Sequence, residues 1–138
     1  MSHSIVSNRV HVIFGTAGRA HLIPAERRTE VWAYILGIGR NLKIPVIAVG
    51  GMSDHAHVLI ALPPTVTLSS AVQKFKANSS RFLGKGFEWQ EGFAGYSVSA
   101  SNVPATIEYI RNQEKHHVKR NFQQELREFA RKNGIDIE

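Results

Sequence analysis

Residues 46–64 read VIAVGGMSDHAHVLIALPP and contain two short apolar segments separated by a polar turn. Val46 to Val49 and His57 to Leu62 are rich in β-branched and aliphatic side chains, so each segment predicts a β-strand. We expect Gly50 and Gly51 to end the first strand and the two prolines at 63–64 to end the second, because both residue types disfavour a strand interior. The segment therefore predicts two consecutive strands.

The flanking residues predict a further strand and a helix on each side. On the N-terminal side, residues 5–16 are rich in β-branched residues and predict a strand, and residues 25–43 have one apolar face and predict a helix. On the C-terminal side, we expect a helix over 67–83, capped by Thr67, and a strand over 93–100. This order predicts an α+β fold, the ferredoxin-like split βαβ, with an antiparallel sheet and two helices on one face.

Two more helices are predicted after the sheet. The first covers about 103–117, with Asn102 as its N-cap, and the second is an amphipathic helix over about 121–133 that Gly134 ends. The chain has 138 residues and no linker-like segment, so we expect a single domain spanning 1–138.

Composition limits the possible functions. Lys and Arg total 17 against 11 acidic residues, and the net charge of +6 favours a polyanionic partner such as nucleic acid, although a basic protein without such a partner also fits. The absence of cysteine excludes disulfides, thiolate-bound zinc and a cysteine nucleophile. No apolar run has membrane-spanning length and the N-terminus lacks a signal-peptide pattern, so we expect a cytoplasmic protein without a membrane partner.

The first candidate site is the segment Asp54-His55-Ala56-His57. In a strand, residues i and i+2 point to the same face and lie about 6.5–7 Å apart, so the two imidazoles can share one metal ion. Asp54 can orient a histidine as a hydrogen-bond acceptor. Two half-exposed histidines on a sheet are the simpler alternative.

The second candidate site lies on the third helix. Tyr109 and Gln113 are four residues apart and share a helix face, which His116 or His117 extends. Taken alone, this pattern also fits an exposed polar face with one packed tyrosine. Basic residues elsewhere supply potential phosphate contacts. The residues that we single out for DNA binding are Arg19, Lys74, Arg81, Lys115, His116 and Lys119.

Several segments together resemble a known family. GMSDHAHVLI at 51–60 resembles the HUH motif, in which a hydrophobic residue separates two histidines. FEWQEGF at 87–93, YSVS at 96–99 and YIRNQEKHH at 109–117 resemble the catalytic half of the single-tyrosine HUH transposases of the smallest bacterial insertion sequences (TnpA-type), which include the REP-associated tyrosine transposases. The likeness extends from about Val10 to Ile135. One departure is Ala56, where family members often have a larger aliphatic residue.

The resemblance implies an activity and a set of roles. Family members cut and rejoin single-stranded DNA that carries hairpin or palindromic sequence, through a covalent 5′-phosphotyrosine intermediate. By position, Tyr109 would be the nucleophile, and His55, His57 and Gln113 would hold Mg²⁺ or Mn²⁺. The resemblance also implies a homodimer, in which the histidine pair of one subunit can share a site with the tyrosine helix of the other.

Two other functions remain open at this point. A ferredoxin-like domain without catalytic activity would bind structured nucleic acid through its basic face, with no need for metal or for Tyr109. A metal-dependent phosphodiesterase would use water as the nucleophile and form no protein–DNA bond. The co-occurrence of the histidine pair and the Tyr109–Gln113 pair favours the tyrosine enzyme, acting in DNA transposition or in the processing of palindromic repeats.

Overall fold

A four-stranded antiparallel sheet forms the centre of the computed structural model, which describes residues 4–117 and 120–136. The strands are β1 (Arg9–Gly15), β2 (Val46–Met52), β3 (His55–Ala61) and β4 (Ala94–Ser97), in the spatial order β2-β3-β1-β4. Two helices, α1 (Arg28–Leu42) and α2 (Leu68–Leu83), connect them. The order and the antiparallel pairing confirm the predicted α+β, ferredoxin-like split βαβ fold.

The first face of the sheet packs against α1 and α2. Because side chains alternate along a strand, Val12, Phe14 and Val58 point to this face. They form the main core with the apolar side chains of the two helices, including Val31, Ile35, Val72 and Phe75. Ala56 also lies in this core, so the small residue between the two histidines points away from them.

The second face is covered by three C-terminal helices, α3 (Val103–Arg111), α4 (Gln113–His116) and α5 (Phe122–Lys132). Ile13 packs with Phe122 of α5, and Leu59 packs with Ile110 of α3. His55 and His57 project from β3 on this same face, since they alternate with Ala56 and Val58. The sheet is thus covered on both faces, and the histidine pair lies beneath the helices that follow the sheet.

The prediction that Gly50 and Gly51 end a strand is wrong. Both belong to β2, and Gly50 pairs with His57 of β3, which begins at His55 rather than at His57. A Cβ atom on Gly50 would lie 2.3 Å from the backbone oxygen of Ile110, so glycine here allows the end of α3 to contact the sheet. The sequence signal for a break therefore marks a close approach of a helix.

Replacing Gly50 with alanine should lower the free energy of unfolding by about 1–3 kcal/mol, because the added methyl group pushes α3 off the sheet. Urea titration followed by circular dichroism measures this change. Gly37→Ala in α1 is the matched control, since a Cβ there has no atom within 4 Å, and it should leave the stability equal or raise it. A Gly50→Ala protein as stable as the wild type would contradict the close approach.

Other predicted boundaries change in detail. The strands expected over 5–16 and 93–100 are shorter, and the helix expected over 103–117 is interrupted at Asn112, which has φ −105° and ψ 30°. Thr67 caps α2 as predicted, accepting a hydrogen bond from the Ser70 amide at 3.1 Å. Asn102 makes no side-chain cap, because it lies in a 3₁₀ turn that leads into α3.

Within the described ranges, no helix has the length and apolar character needed to cross a membrane.

Candidate active site

Strand β3 brings His55 and His57 to the centre of the site. Both side chains are fully buried, with 0% exposure. His55 Nε2 lies 3.0 Å from the Gln113 side-chain oxygen, and His57 Nε2 lies 3.0 Å from a carboxylate oxygen of Glu125. The same Glu125 oxygen is 3.3 Å from His55 Nε2. The Nε2 atoms of both histidines therefore face one group of oxygen atoms.

The other nitrogen of each histidine has its own partner. His55 Nδ1 is 2.8 Å from Asp54 Oδ1, which is the contact that the sequence predicted for Asp54. His57 Nδ1 is 2.8 Å from His11 Nε2, and His11 on β1 was not predicted as part of the site. These contacts fix the ring orientations, so that Nε2 of each ring points into the site.

Tyr109 on α3 reaches the same group of side chains in the same chain. Its hydroxyl donates a hydrogen bond to Glu125 Oε2 and accepts one from the Arg120 guanidinium at 2.5 Å. Its ring stacks on His116, with the ring centroids 4.4 Å apart. The Glu125 carboxylate thus connects the predicted nucleophile to the histidine pair.

Gln113 begins α4, one turn beyond Tyr109, and is 2% exposed. Its side-chain oxygen contacts His55 Nε2 and also lies 3.1 Å from His117 Nε2. His117 in turn is 3.3 Å from Glu125 Oε1. The four residues that the sequence singled out for catalysis and metal binding, His55, His57, Tyr109 and Gln113, are all brought together.

Glu125, like His11, is a residue of the site that sequence reasoning missed. It lies in the first turn of α5 with 0% exposure. Its position three residues after Phe122 and four before Phe129 places it on the apolar face of the helix. A charged residue on the apolar face of an amphipathic helix is the signal that could have revealed it, because a buried carboxylate requires partners.

The charges of the site depend on this carboxylate. Burial would raise the pKa of Glu125, but hydrogen bonds from His117, His55 and His57 hold it well below its usual range. Burial lowers the pKa of His57 to about 4. For His55 burial acts in the same direction, but its hydrogen bonds to Asp54 and Glu125 outweigh it and raise the pKa to about 9. Without a metal, a protonated His55 therefore faces an ionised Glu125 at neutral pH.

The same surroundings keep Tyr109 protonated. Burial and the adjacent Glu125 carboxylate raise its pKa above the ordinary value, and the positive charge of Arg120 opposes them only in part. Tyr109 thus needs a change in its surroundings before it becomes a phenolate. The phenolic oxygen bonds to Glu125 and Arg120, whereas His116 stacks on the Tyr109 ring.

The donor atoms fit a divalent metal ion. One ligand atom each from His55, His57 and Glu125 lies within 4.8 Å of the other two, and all three side chains are buried. Two imidazole nitrogens and a carboxylate oxygen form a common ligand set for divalent first-row metals. In the described parts of the chain, the ion-pair partners of Glu125 are His55, His57 and His117. A histidine must be neutral to bind a metal ion.

The predicted DNA-binding residues divide between the two faces of the sheet. Arg19 contacts Gln123 of α5 at 3.0 Å, Lys115 is exposed on α4, and His116 lies against Tyr109, so these three surround the site. Lys74 and Arg81 belong to α2 and lie on the opposite face. Lys119 lies outside the described residues.

Comparison with known proteins identifies a matching family model and similar folds. The family model of IS200-like transposases matches residues 4–113, which include His55, His57, Tyr109 and Gln113 but not Glu125. A protein from Deinococcus radiodurans R1, described as a candidate transposase, is similar with a TM-score of 0.66 and 19% identity over 82% of this chain and 95% of its own. A REP-associated tyrosine transposase bound to a REP hairpin is similar with a TM-score of 0.62 and 18% identity over 84% of this chain and 72% of its own. No curated protein sequence is similar enough to the chain to count as a relative.

Proposed function

Since the chain belongs to the IS200-like transposase family, we propose that it cuts and rejoins single-stranded DNA with Tyr109 as the nucleophile. The observation that carries this proposal is the shared contact with Glu125: one oxygen of its carboxylate faces the histidine pair and the other accepts the Tyr109 hydroxyl. Glu125 thus contacts both the proposed nucleophile and the proposed metal-binding histidines. This arrangement favours an enzyme over a module that only binds nucleic acid.

The proposed ligands of Mg²⁺ or Mn²⁺ are His55, His57 and Gln113. When bound, such an ion neutralises charge on the scissile phosphate and polarises the phosphorus toward attack. The chain itself prepares the ligands, because Asp54 and His11 hold the Nδ1 side of the two imidazoles and leave both Nε2 atoms directed into the site.

Attack by the Tyr109 oxygen forms a bond to phosphorus and breaks the bond to the 3′-oxygen of the preceding nucleotide. The products are a 5′-phosphotyrosine and a 3′-hydroxyl end, and the ester conserves the energy of the broken bond. Attack by another 3′-hydroxyl then restores the DNA backbone without ATP. Arg120 holds the phenolic oxygen by a hydrogen bond, and its positive charge favours the deprotonated, nucleophilic form of Tyr109.

We propose that the substrate carries a hairpin or a palindromic sequence, as the REP hairpin in the similar REP-associated transposase suggests. Arg19, Lys115 and His116 would contact phosphates beside the site. Lys74 and Arg81 would contact DNA that passes to the other face, and Lys119 completes the proposed set. The reaction would take place in the cytoplasm, in transposition or in the processing of palindromic repeats. The homodimer with shared sites stays a prediction.

The proposal is tested with hairpin-bearing single-stranded oligonucleotides taken from the DNA that flanks the gene. With Mg²⁺ or Mn²⁺, label at the 3′ end should migrate with the protein on a denaturing gel. Label at the 5′ end should appear in a shorter free strand that a polymerase can extend. Chelator should abolish both signals. Salt-sensitive binding without any adduct, across all substrates and both metals, would favour the binding module instead.

Metal binding should strengthen as the pH rises. The pKa of His55 is raised to about 9, so below that pH the folded protein holds a proton on a ring that must be neutral to bind metal. Each unit of pH between 6 and 8 should therefore raise the apparent Mn²⁺ affinity about tenfold, as calorimetry can measure. Asp54→Asn removes one of the contacts that raise this pKa and should make the dependence shallower. An affinity that does not change between pH 6 and pH 8 would contradict this assignment of charge.

A further inference from the structure

Glu125 lies in the centre of the second face of the sheet, on the buried side of α5. The helix is held there by Phe122, whose ring stacks on the His55 imidazole at 4.1 Å with only 6° between the ring planes. A capping box formed by Asn121 and Gln124 fixes the first turn of α5, which contains Glu125. The carboxylate is therefore held in place by packing and by the helix start.

The two oxygens of the carboxylate have different partners. Oε1 lies 3.0 Å from His57 Nε2 and 3.3 Å from both His55 Nε2 and His117 Nε2. Oε2 accepts the hydrogen bond from the Tyr109 hydroxyl. One oxygen thus faces the metal-binding nitrogens, and the other holds the nucleophile.

We propose that Glu125 is an anionic ligand of the metal through Oε1 and positions Tyr109 through Oε2. This inference rests on the proposed metal-assisted function and extends its ligand set beyond Gln113. The segment that matches the family model ends at Gln113, so the assignment comes from the contacts of α5 alone.

The charge of the ligand set supports the assignment. His55, His57 and Gln113 supply only neutral donors, whereas Mg²⁺ and Mn²⁺ prefer oxygen ligands that include a carboxylate. An ionised carboxylate inside a protein also needs a positive partner. A divalent ion held by Oε1 and the two Nε2 atoms would supply that partner.

The same carboxylate connects the metal-binding nitrogens to Tyr109. Oε1 and Oε2 belong to one rigid planar group, so the position of Oε1 at the histidine nitrogens also fixes the position of the oxygen that accepts the Tyr109 hydroxyl. Glu125 therefore positions the phenolic oxygen relative to the proposed metal ligands from within one chain.

The test is the affinity of the full, chelator-stripped protein for Mn²⁺ alone, measured by calorimetry without DNA. Glu125→Gln keeps the shape of the side chain and removes its charge, and it should weaken Mn²⁺ binding at least tenfold. Glu128→Gln is the matched control, because it removes one charge from the same helix at a half-exposed position paired with Arg120, and it should bind like the wild type. Equal Mn²⁺ affinity of wild type and Glu125→Gln would overturn the proposal.

A second measurement uses the wild-type protein and so does not depend on how a variant folds. In protein labelled with ¹³C-glutamate, Mg²⁺ should shift the side-chain carboxyl resonance of Glu125 while that of Glu128 stays in place. If the imidazole resonances of His55 and His57 shift and the Glu125 carboxyl resonance does not, the carboxylate is not a ligand and the proposal fails.

The inference and the proposed function fail in different ways. A wild-type protein that binds Mn²⁺ through Glu125 but never forms a DNA adduct would overturn the strand-transfer function and leave the ligand assignment intact. A wild-type protein that forms the adduct, with a Glu125→Gln variant that binds Mn²⁺ equally well, would overturn the ligand assignment alone.

Discussion

Tyr109→Phe is expected to lower the yield of the covalent protein–DNA adduct by about a thousandfold or more, to below detection. The substitution removes the only atom that can form the phosphotyrosine bond and keeps the ring that packs on His116. Glu125 loses one hydrogen bond but keeps its histidine partners, so the protein should fold and bind Mn²⁺. The measurement is the amount of 3′-labelled DNA attached to the protein on a denaturing gel.

The matched control is Tyr34→Phe, which removes the same hydroxyl from an exposed tyrosine of α1 that stacks on Phe82 at 4.0 Å. Its adduct yield should equal that of the wild type. An adduct that persists in Tyr109→Phe would mean that another residue is the nucleophile. Strand cleavage at equal rates in wild type and Tyr109→Phe, without adduct in either, would indicate a phosphodiesterase that uses water.

The second large effect is expected for His57→Ala, which should lower the adduct yield at least about a hundredfold and remove the stabilisation by Mn²⁺. His57 is fully buried and contacts both His11 and Glu125. Its loss leaves a cavity and removes a hydrogen-bond partner from His11 and from Glu125. The free energy of unfolding of the metal-free protein should therefore also fall by about 2–4 kcal/mol. Thermal unfolding with and without Mn²⁺ separates the two effects.

His21→Ala is the control for this experiment. His21 is exposed and bonds to Ser53, away from the Nε2 atoms of the pair, so both the adduct yield and the Mn²⁺ stabilisation should match the wild type. The metal assignment would fail if Mn²⁺ raised the unfolding temperature of His57→Ala as much as that of the wild type.

The parts of the fold that follow from local pattern could be predicted from the sequence. The strands and helices of the split βαβ arise from apolar periodicity and turn residues, and the histidine pair follows from the two-residue period of a strand. Tyr109 and Gln113 reach the same site, as their four-residue spacing predicts, although the helix is interrupted between them at Asn112.

The errors arise where contacts between distant elements decide the outcome. Gly50 continues a strand because the end of α3 contacts it, and no local pattern around Gly50 encodes the position of that helix. Glu125 enters the site because α5 packs on the face that bears the histidines, 68 positions along the chain from His57. His11 is likewise brought to His57 by the pairing of β1 with β3.

The position of β3 inside the sheet lowers the conformational entropy that the site loses when it binds a ligand. Its backbone is hydrogen-bonded to β1 on one side and to β2 on the other, and both histidine rings are held at Nδ1. The imidazoles have therefore already lost most of their conformational entropy when the protein folds, and little remains to be lost when a ligand arrives. Folding itself thus preorganises this half of the site, so that the affinity of the histidine pair for a cation is set mainly by protons and charge.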